Sequence, residues 1–180
     1  MISALGTVYD KPVVAEIGVA LGDFSEVMLK SLEPSEFVAF DLFTMHEWES
    51  VWGRPAKQIF NGKTHLDFYK DRFRGSNVRT IIGKSDATLL QFPDQYFDVI
   101  YVDADHVYEG VKADAYLSDK KLKPDGTLIF NDYIMYDHAA DIPYGVVQAV
   151  NELIVGREYQ VVGFALEMNM FCDIAIRRRR

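Results

Sequence analysis

An α/β fold on a mostly parallel sheet is the architecture this sequence predicts, on two observations. Short apolar runs rich in β-branched residues recur along the chain, and helix-like segments alternate with them. Runs that are nearly continuous rather than alternating belong to strands covered on both faces. Strand–helix alternation in this order belongs to parallel sheets joined by helical crossovers.

The first strand is Val13–Ile17, followed by a turn holding Gly18 and Gly22. A helix is expected over Phe24–Leu32, with Phe24, Val27, Met28 and Leu32 apolar. Phe37–Phe40 is the second strand and carries Asp41 at its end. Thr44–Lys63 fits neither period; it contains Trp48, Trp52, Pro55, Phe60 and Gly62, including both tryptophans of the protein. A stretch of that length is expected to be a lid or a short edge helix. Leu66–Arg74 reads as a helix through Leu66, Tyr69 and Phe73, with Asp67, Asp71 and Arg74 on another face. Strands follow at Val78–Ile82, Val99–Val102, Thr127–Phe130 and Met170–Ile176, with helices at Glu109–Leu122 and Val146–Val155. Lys123–Gly126 is expected to be a turn, and Pro143 suits a first helical turn.

At 180 residues and 20.6 kDa, one domain over positions 1–180 is expected, with 44–63 as a lid insertion. The net charge of −8 argues against a nucleic-acid partner, which needs a basic face. The one dense basic run, Arg177–Arg180, is expected to be a solvated tail. The single Cys172 excludes an internal disulfide and reads as a buried structural thiol. No apolar run reaches the ~18–20 residues of a membrane span, and no signal pattern opens the chain. A cytoplasmic protein is expected; a homo-oligomer is compatible with the sequence.

Gly18 and Gly22 permit a sharp turn and a close ligand approach. Asp41, at the tip of the second strand, is placed to accept two ribose hydroxyls. The turn departs from the dinucleotide pattern G-x-G-x-x-G, since Ala20 and Leu21 occupy its middle. Glu16 beside it would repel a pyrophosphate and favour a ligand with a positive charge and an amino group. Asp103, Asp105 and His106 end the buried run Phe97–Val102, an expensive cluster unless something compensates it.

The stretches AEIGVALGDFSEVML, FVAFDLF, IIGKSDATL, DVIYVDADHVYEGVKAD and LKPDGTLIFNDY resemble, in order, the class I S-adenosylmethionine-dependent methyltransferases. They are most similar to the metal-dependent O-methyltransferases of the catechol, caffeoyl-CoA and macrocin types, over positions 13–155. The resemblance implies a Rossmann-like three-layer sandwich whose mostly parallel seven-stranded sheet includes an antiparallel C-terminal strand. It implies contacts to the cofactor from Glu16, Gly18, Gly22, Asp41, Ser85 and Asp86; Asp105 is expected to contact the cofactor or to cap the following helix, whose first turn also has Glu109. The serine that often stands two residues after the second glycine is here Phe24, with Ser25 one further on. Asp103, Asn131 and Asp132 are implied as ligands of Mg²⁺, a hard cation suited to oxygen donors. His106 stands where relatives carry a lysine base and could accept a proton, with Asp103 beside it as a catalytic group. His46, His65 and His138 receive no role.

The function expected is Mg²⁺-assisted methylation of a hydroxyl on a small phenolic or sugar-like acceptor. A non-catalytic S-adenosylmethionine-binding protein and a nucleotide-dependent oxidoreductase are the alternatives.

Overall fold

The computed structural model describes residues 1–166 and 171–179. After a short helix α1 (Ile2–Leu5), the chain forms β1 (Val13–Ile17), α2 (Asp23–Leu32) and β2 (Glu36–Asp41). The excursion that follows contains β3 (Ser50–Val51), β4 (Arg54–Pro55) and α3 (Ala56–Phe60). Next come α4 (His65–Arg72), β5 (Val78–Ile82), α5 (Ser85–Thr88), β6 (Phe97–Val102), α6 (Tyr108–Lys121) and β7 (Leu122–Phe130). A small hairpin, β8 (Tyr136–Asp137) with β9 (Ile142–Pro143), leads to α7 (Val146–Gly156), β10 (Tyr159–Leu166) and β11 (Cys172–Arg178).

The seven-stranded sheet runs β10-β11-β7-β6-β1-β2-β5. Neighbours from β7 to β5 are parallel, and β11 is antiparallel to both β7 and β10. This is the expected Rossmann-like α/β sandwich. Alternation within each strand explains the continuous apolar runs. Ala15, Ile17, Val38, Phe40, Ile100 and Val102 face the layer of α6 and α7. Val14, Phe37, Ala39, Val99 and Tyr101 face that of α1, α2 and α4. Both faces are buried, so neither register position can be polar without a partner.

The order also fixes where a ligand can bind. From β1 the chain builds outward through β2 to β5, then crosses back to lay β6 on the other side of β1. The crevice between the carboxyl ends of β1 and β6 is the switch point at which open α/β sheets take ligands.

Four expectations need correction. Lys123–Gly126 is not a free turn but lies within β7, where pairing jumps from Leu122 opposite Phe97 to Thr127 opposite Val99, so the extra residues bulge. Pro143 sits in β9 opposite Tyr136, and helix α7 begins only after Gly145. Arg177 and Arg178 belong to β11 rather than to a tail: Arg178 pairs with Asp119 at 2.7 Å, and Arg177 donates to Thr127 Oγ1. The rest of the expected tail includes Arg180, outside the described residues, as is Met170 of the last expected strand. Strand β10 is additional to the strands expected from the sequence. Cys172 is only half-buried, and its thiol donates to the Tyr133 carbonyl.

The 44–63 excursion is a folded unit. Met45, Val51, Ala56 and Phe60 form an apolar cluster of their own, packed on Ala20, Leu21 and Phe68. Trp48 and Trp52 stay outside it, 53% and 72% exposed.

Candidate active site

Beyond Ile17 the chain leaves the sheet through Gly18–Gly22. Gly18 has φ +82°, and a Cβ there would stand 1.9 Å from the Asp103 carbonyl oxygen. The loop after β1 and the end of β6 therefore touch backbone to backbone. A Cβ on Gly22 (φ +86°) would meet the rings of Phe73 and Tyr69 at 2.6 and 3.0 Å. Packing within the protein demands both glycines, whatever the loop binds.

Asp41 braces the same loop. Its Oδ2 accepts from the Val19 N–H at 2.9 Å and its Oδ1 from the Phe43 N–H at 2.6 Å. A carboxylate oxygen has room for a second donor, so Asp41 keeps acceptor capacity on both oxygens. Glu16 is placed differently from the ligand contact expected of it. It is 1% exposed and accepts from Ser25 Oγ, which in turn accepts from the Tyr69 hydroxyl at 2.9 Å. Burial pushes its carboxyl well above the usual range, against the Ser25 hydrogen bond, and Asp103 and Asp41 add to the rise. Ser25 is thereby committed inward, while Phe24 stacks on Tyr101 at 4.1 Å.

Past β5, Asp86 is exposed, and Ser85 donates its hydroxyl to Asp114 of α6. Asp114 is buried, which raises its carboxyl to about 6, against the Ser85 hydrogen bond and with help from Asp105 and Asp86. The folded protein thus holds this proton more tightly than the unfolded chain, whose carboxyl titrates near ~3.9. Stability falls as pH rises from about 4 to about 6, and the ionised group is unfavourable above that. Asp114→Asn is expected to raise stability at pH 7.5 by about 1–3 kcal/mol and to leave it little changed near pH 4. Denaturant melts at both pH values check this, and a variant destabilised at pH 7.5 would refute it.

At the ends of β6 and β7 the acidic cluster and histidine come together. His106 Nε2 lies 3.3 Å from Asp132 Oδ2 and 3.7 Å from Asp103 Oδ1. These are charge contacts rather than aligned hydrogen bonds. The ring stacks on Tyr144, centroids 4.5 Å apart, and Tyr144 donates to Asp137 at 3.2 Å. Burial opposes charge on His106, but Asp132, Asp103 and Asn131 outweigh it and hold the imidazole above its ordinary pKa. Asp132 adopts φ +50°, a left-handed conformation that a non-glycine residue holds only when its surroundings impose it. Asp105 accepts from the Val107 N–H at 2.8 Å, bracing the start of α6, and Gly110 leaves it room.

The expected magnesium ligands are not arranged as one donor set. Asn131 is turned inward, its amide donating to Tyr101 Oη and Asp173 Oδ1, each at 3.1 Å. His106 Nε2 instead lies against both carboxylates of the expected set, Asp103 and Asp132. Among the described residues no group of three His, Cys, Asp or Glu is placed to hold a metal ion. The side chains do not fit Mg²⁺ as they stand.

Two residues escaped the sequence reading. His65, fully buried, contacts the Ala20 carbonyl through Nε2 at 2.5 Å, and Arg72 donates to the Leu21 carbonyl at 2.9 Å. Their seven-residue spacing on one helix was the available signal. His46, half-buried in the excursion, faces Glu47 at 3.9 Å. His138 lines a cavity of about 610 Å³ with Tyr133, Met135, Tyr136, Val147 and Phe171, just beyond Asp132.

A family described as a methyltransferase domain matches residues 15–133, well over half of the chain. No curated protein matches. Among solved structures the chain is similar to an O-methyltransferase from Bacillus cereus in complex with S-adenosylhomocysteine (TM-score 0.66, 16% identity, 98% of this chain and 79% of that one). It is also similar to an S-adenosylhomocysteine-bound methyltransferase from Podospora anserina (0.63, 18%, 99% and 76%). A third is the 1,6-didemethyltoxoflavin-N1-methyltransferase of Burkholderia thailandensis, with S-adenosylhomocysteine bound (0.62, 14%, 99% and 77%). The family match extends from β1 through the Asp132 turn and so takes in the glycine loop, Asp41 and the His106 cluster: the chain belongs to the methyltransferase domain family and is an S-adenosylmethionine-dependent methyltransferase.

Proposed function

We propose that the protein methylates a hydroxyl of a small molecule and that His106 takes up the hydroxyl proton. The observation that carries this reading is the imidazole held between Asp103 and Asp132, beside the loop that Gly18 presses against Asp103. S-adenosylmethionine, when bound, supplies an electrophilic sulfonium methyl. Asp41 would accept the ribose hydroxyls on its remaining lone pairs, with Ser85 and Asp86 on the adenine side. The Gly18–Gly22 spacing, with Ala20 and Leu21 in its middle, does not match a pyrophosphate turn, which disfavours the oxidoreductase alternative. Glu16 and Asp105 act at one remove, by holding Ser25 and the start of α6.

In this mechanism the neutral His106 ring accepts the proton as the acceptor oxygen attacks, and Asp103 and Asp132 stabilise the imidazolium formed. Tyr144 keeps the ring in place by stacking. The aromatic-lined cavity next to Asp132 in the chain offers the acceptor a surface. A protein that only bound the cofactor would have no use for a histidine so placed. No step runs through a metal. Across a panel of phenols, polyols, amines and thiols, labelled-methyl transfer from S-adenosylmethionine should proceed to a phenol or polyol in excess EDTA. Activity lost to EDTA and restored by Mg²⁺ would overturn the metal-free reading, and transfer confined to amines or thiols would overturn the hydroxyl assignment.

A further inference from the structure

Helix α4 is packed along the glycine loop and touches it at four points. His65 is wholly buried, with its Nε2 against the Ala20 carbonyl at 2.5 Å. Arg72 Nη1 donates to the next carbonyl, Leu21, at 2.9 Å, and its guanidinium is braced by Asp23 and Glu26 at 2.7 Å each. Residues seven apart lie on one face of a helix, so a single face delivers both donors. Between them Tyr69, and just beyond them Phe73, fill the space that Gly22 leaves by lacking a Cβ.

The far side of His65 faces the Asp41 carboxylate, with Nδ1 4.0 Å from Oδ1. Rings of Phe43 and Phe60 stand 5.1 and 5.2 Å from it. Ala20 is held at φ +43°, a conformation that alanine does not keep unless neighbours impose it. The 44–63 cluster, whose Phe60 also meets Phe68 of α4, packs on Ala20 and Leu21 as well.

In a trans peptide the C=O and the following N–H point in opposite directions. With the Ala20 carbonyl drawn to His65, the Leu21 N–H points away from α4. With the Leu21 carbonyl drawn to Arg72, the Gly22 N–H does likewise and closes the loop on the Val19 carbonyl at 2.8 Å. A backbone N–H fixed in this way is suited to an anionic group. We infer that α4 is a clamp: His65 and Arg72 are positioning residues that orient the glycine loop to receive the carboxylate of the cofactor's methionine half. The inference rests on the methyl-donor reading above, and the excursion thereby serves the cofactor loop as a buttress.

Calorimetric titration with S-adenosylhomocysteine tests it. His65→Leu and Arg72→Met should each weaken binding about tenfold, the effect of losing one hydrogen bond that holds the loop. His65→Gln, whose amide nitrogen reaches the Nε2 position, should bind within about threefold of wild type, while His65→Asn should not. Leu153→Ala, in α7 on the other face of the sheet, should lower the melting temperature and leave affinity unchanged. Folded His65→Leu and Arg72→Met proteins that bind like wild type would overturn the clamp. So would affinities that merely follow melting temperature across all five variants. Wild type that fails to bind at all would instead overturn the methyl-donor reading, and the clamp with it.

Discussion

Replacing His106 with asparagine should lower kcat by about 10²–10⁴-fold, the range for loss of a general base. Affinity for S-adenosylhomocysteine should hardly change, because His106 touches Asp103, Asp132 and Tyr144 and none of the loop residues that would carry the cofactor. The pH dependence follows from the sign of its shift. The carboxylates outweigh burial and raise the pKa, so the ring stays protonated, and unable to accept a proton, to higher pH than an ordinary histidine near ~6.5. The wild-type rate should therefore climb with pH through an inflection above that value, and the variant should lack this limb. The same shift stabilises the fold below the unfolded-state pKa, and that stabilisation is lost as pH rises through the folded one. Steady-state kinetics across pH decide the matter: an undiminished kcat in a folded variant removes His106 from the chemistry.

The second large effect is expected at Asp41. Its two oxygens already hold the N–H groups of Val19 and Phe43. Asp41→Ala should weaken S-adenosylhomocysteine by about 1–3 kcal/mol, the range for charge-assisted hydrogen bonds. Loss of the two backbone contacts places the result toward the upper end. The fold should survive, since Asp41 stands at a strand tip with its neighbour Phe40 fully buried. A folded Asp41→Ala protein of undiminished affinity would reject the ribose assignment.

Much of this arrangement is legible in the sequence because both sheet faces are covered. Val13–Ile17 and Val78–Ile82 are bounded as their apolar runs suggest, and the loss of apolar character marks the strand ends where Asp41, Asp103 and Asp132 stand. Strand β10 is not legible for the opposite reason. It is an edge strand, and Val161, Val162, Phe164 and Leu166 are exposed along it, so burial imposes no pattern. Asn131 reads as a ligand beside Asp132, but its orientation is set by Asp173, 42 residues further on in a strand of the opposite direction. The clamp is hidden for a related reason. His65 and Arg72 act on backbone carbonyls 45 and 51 residues away, and side-chain motifs carry no trace of a backbone partner.

The most direct test of the central claim is a calorimetric titration of the wild-type protein in EDTA, with S-adenosylhomocysteine and, separately, NADH. One equivalent of S-adenosylhomocysteine should bind and NADH should give no heat of binding, because the acidic sheet edge repels a pyrophosphate and the G-x-x-x-G turn lacks the glycine spacing that one needs. Binding of NADH with none of S-adenosylhomocysteine would contradict the account.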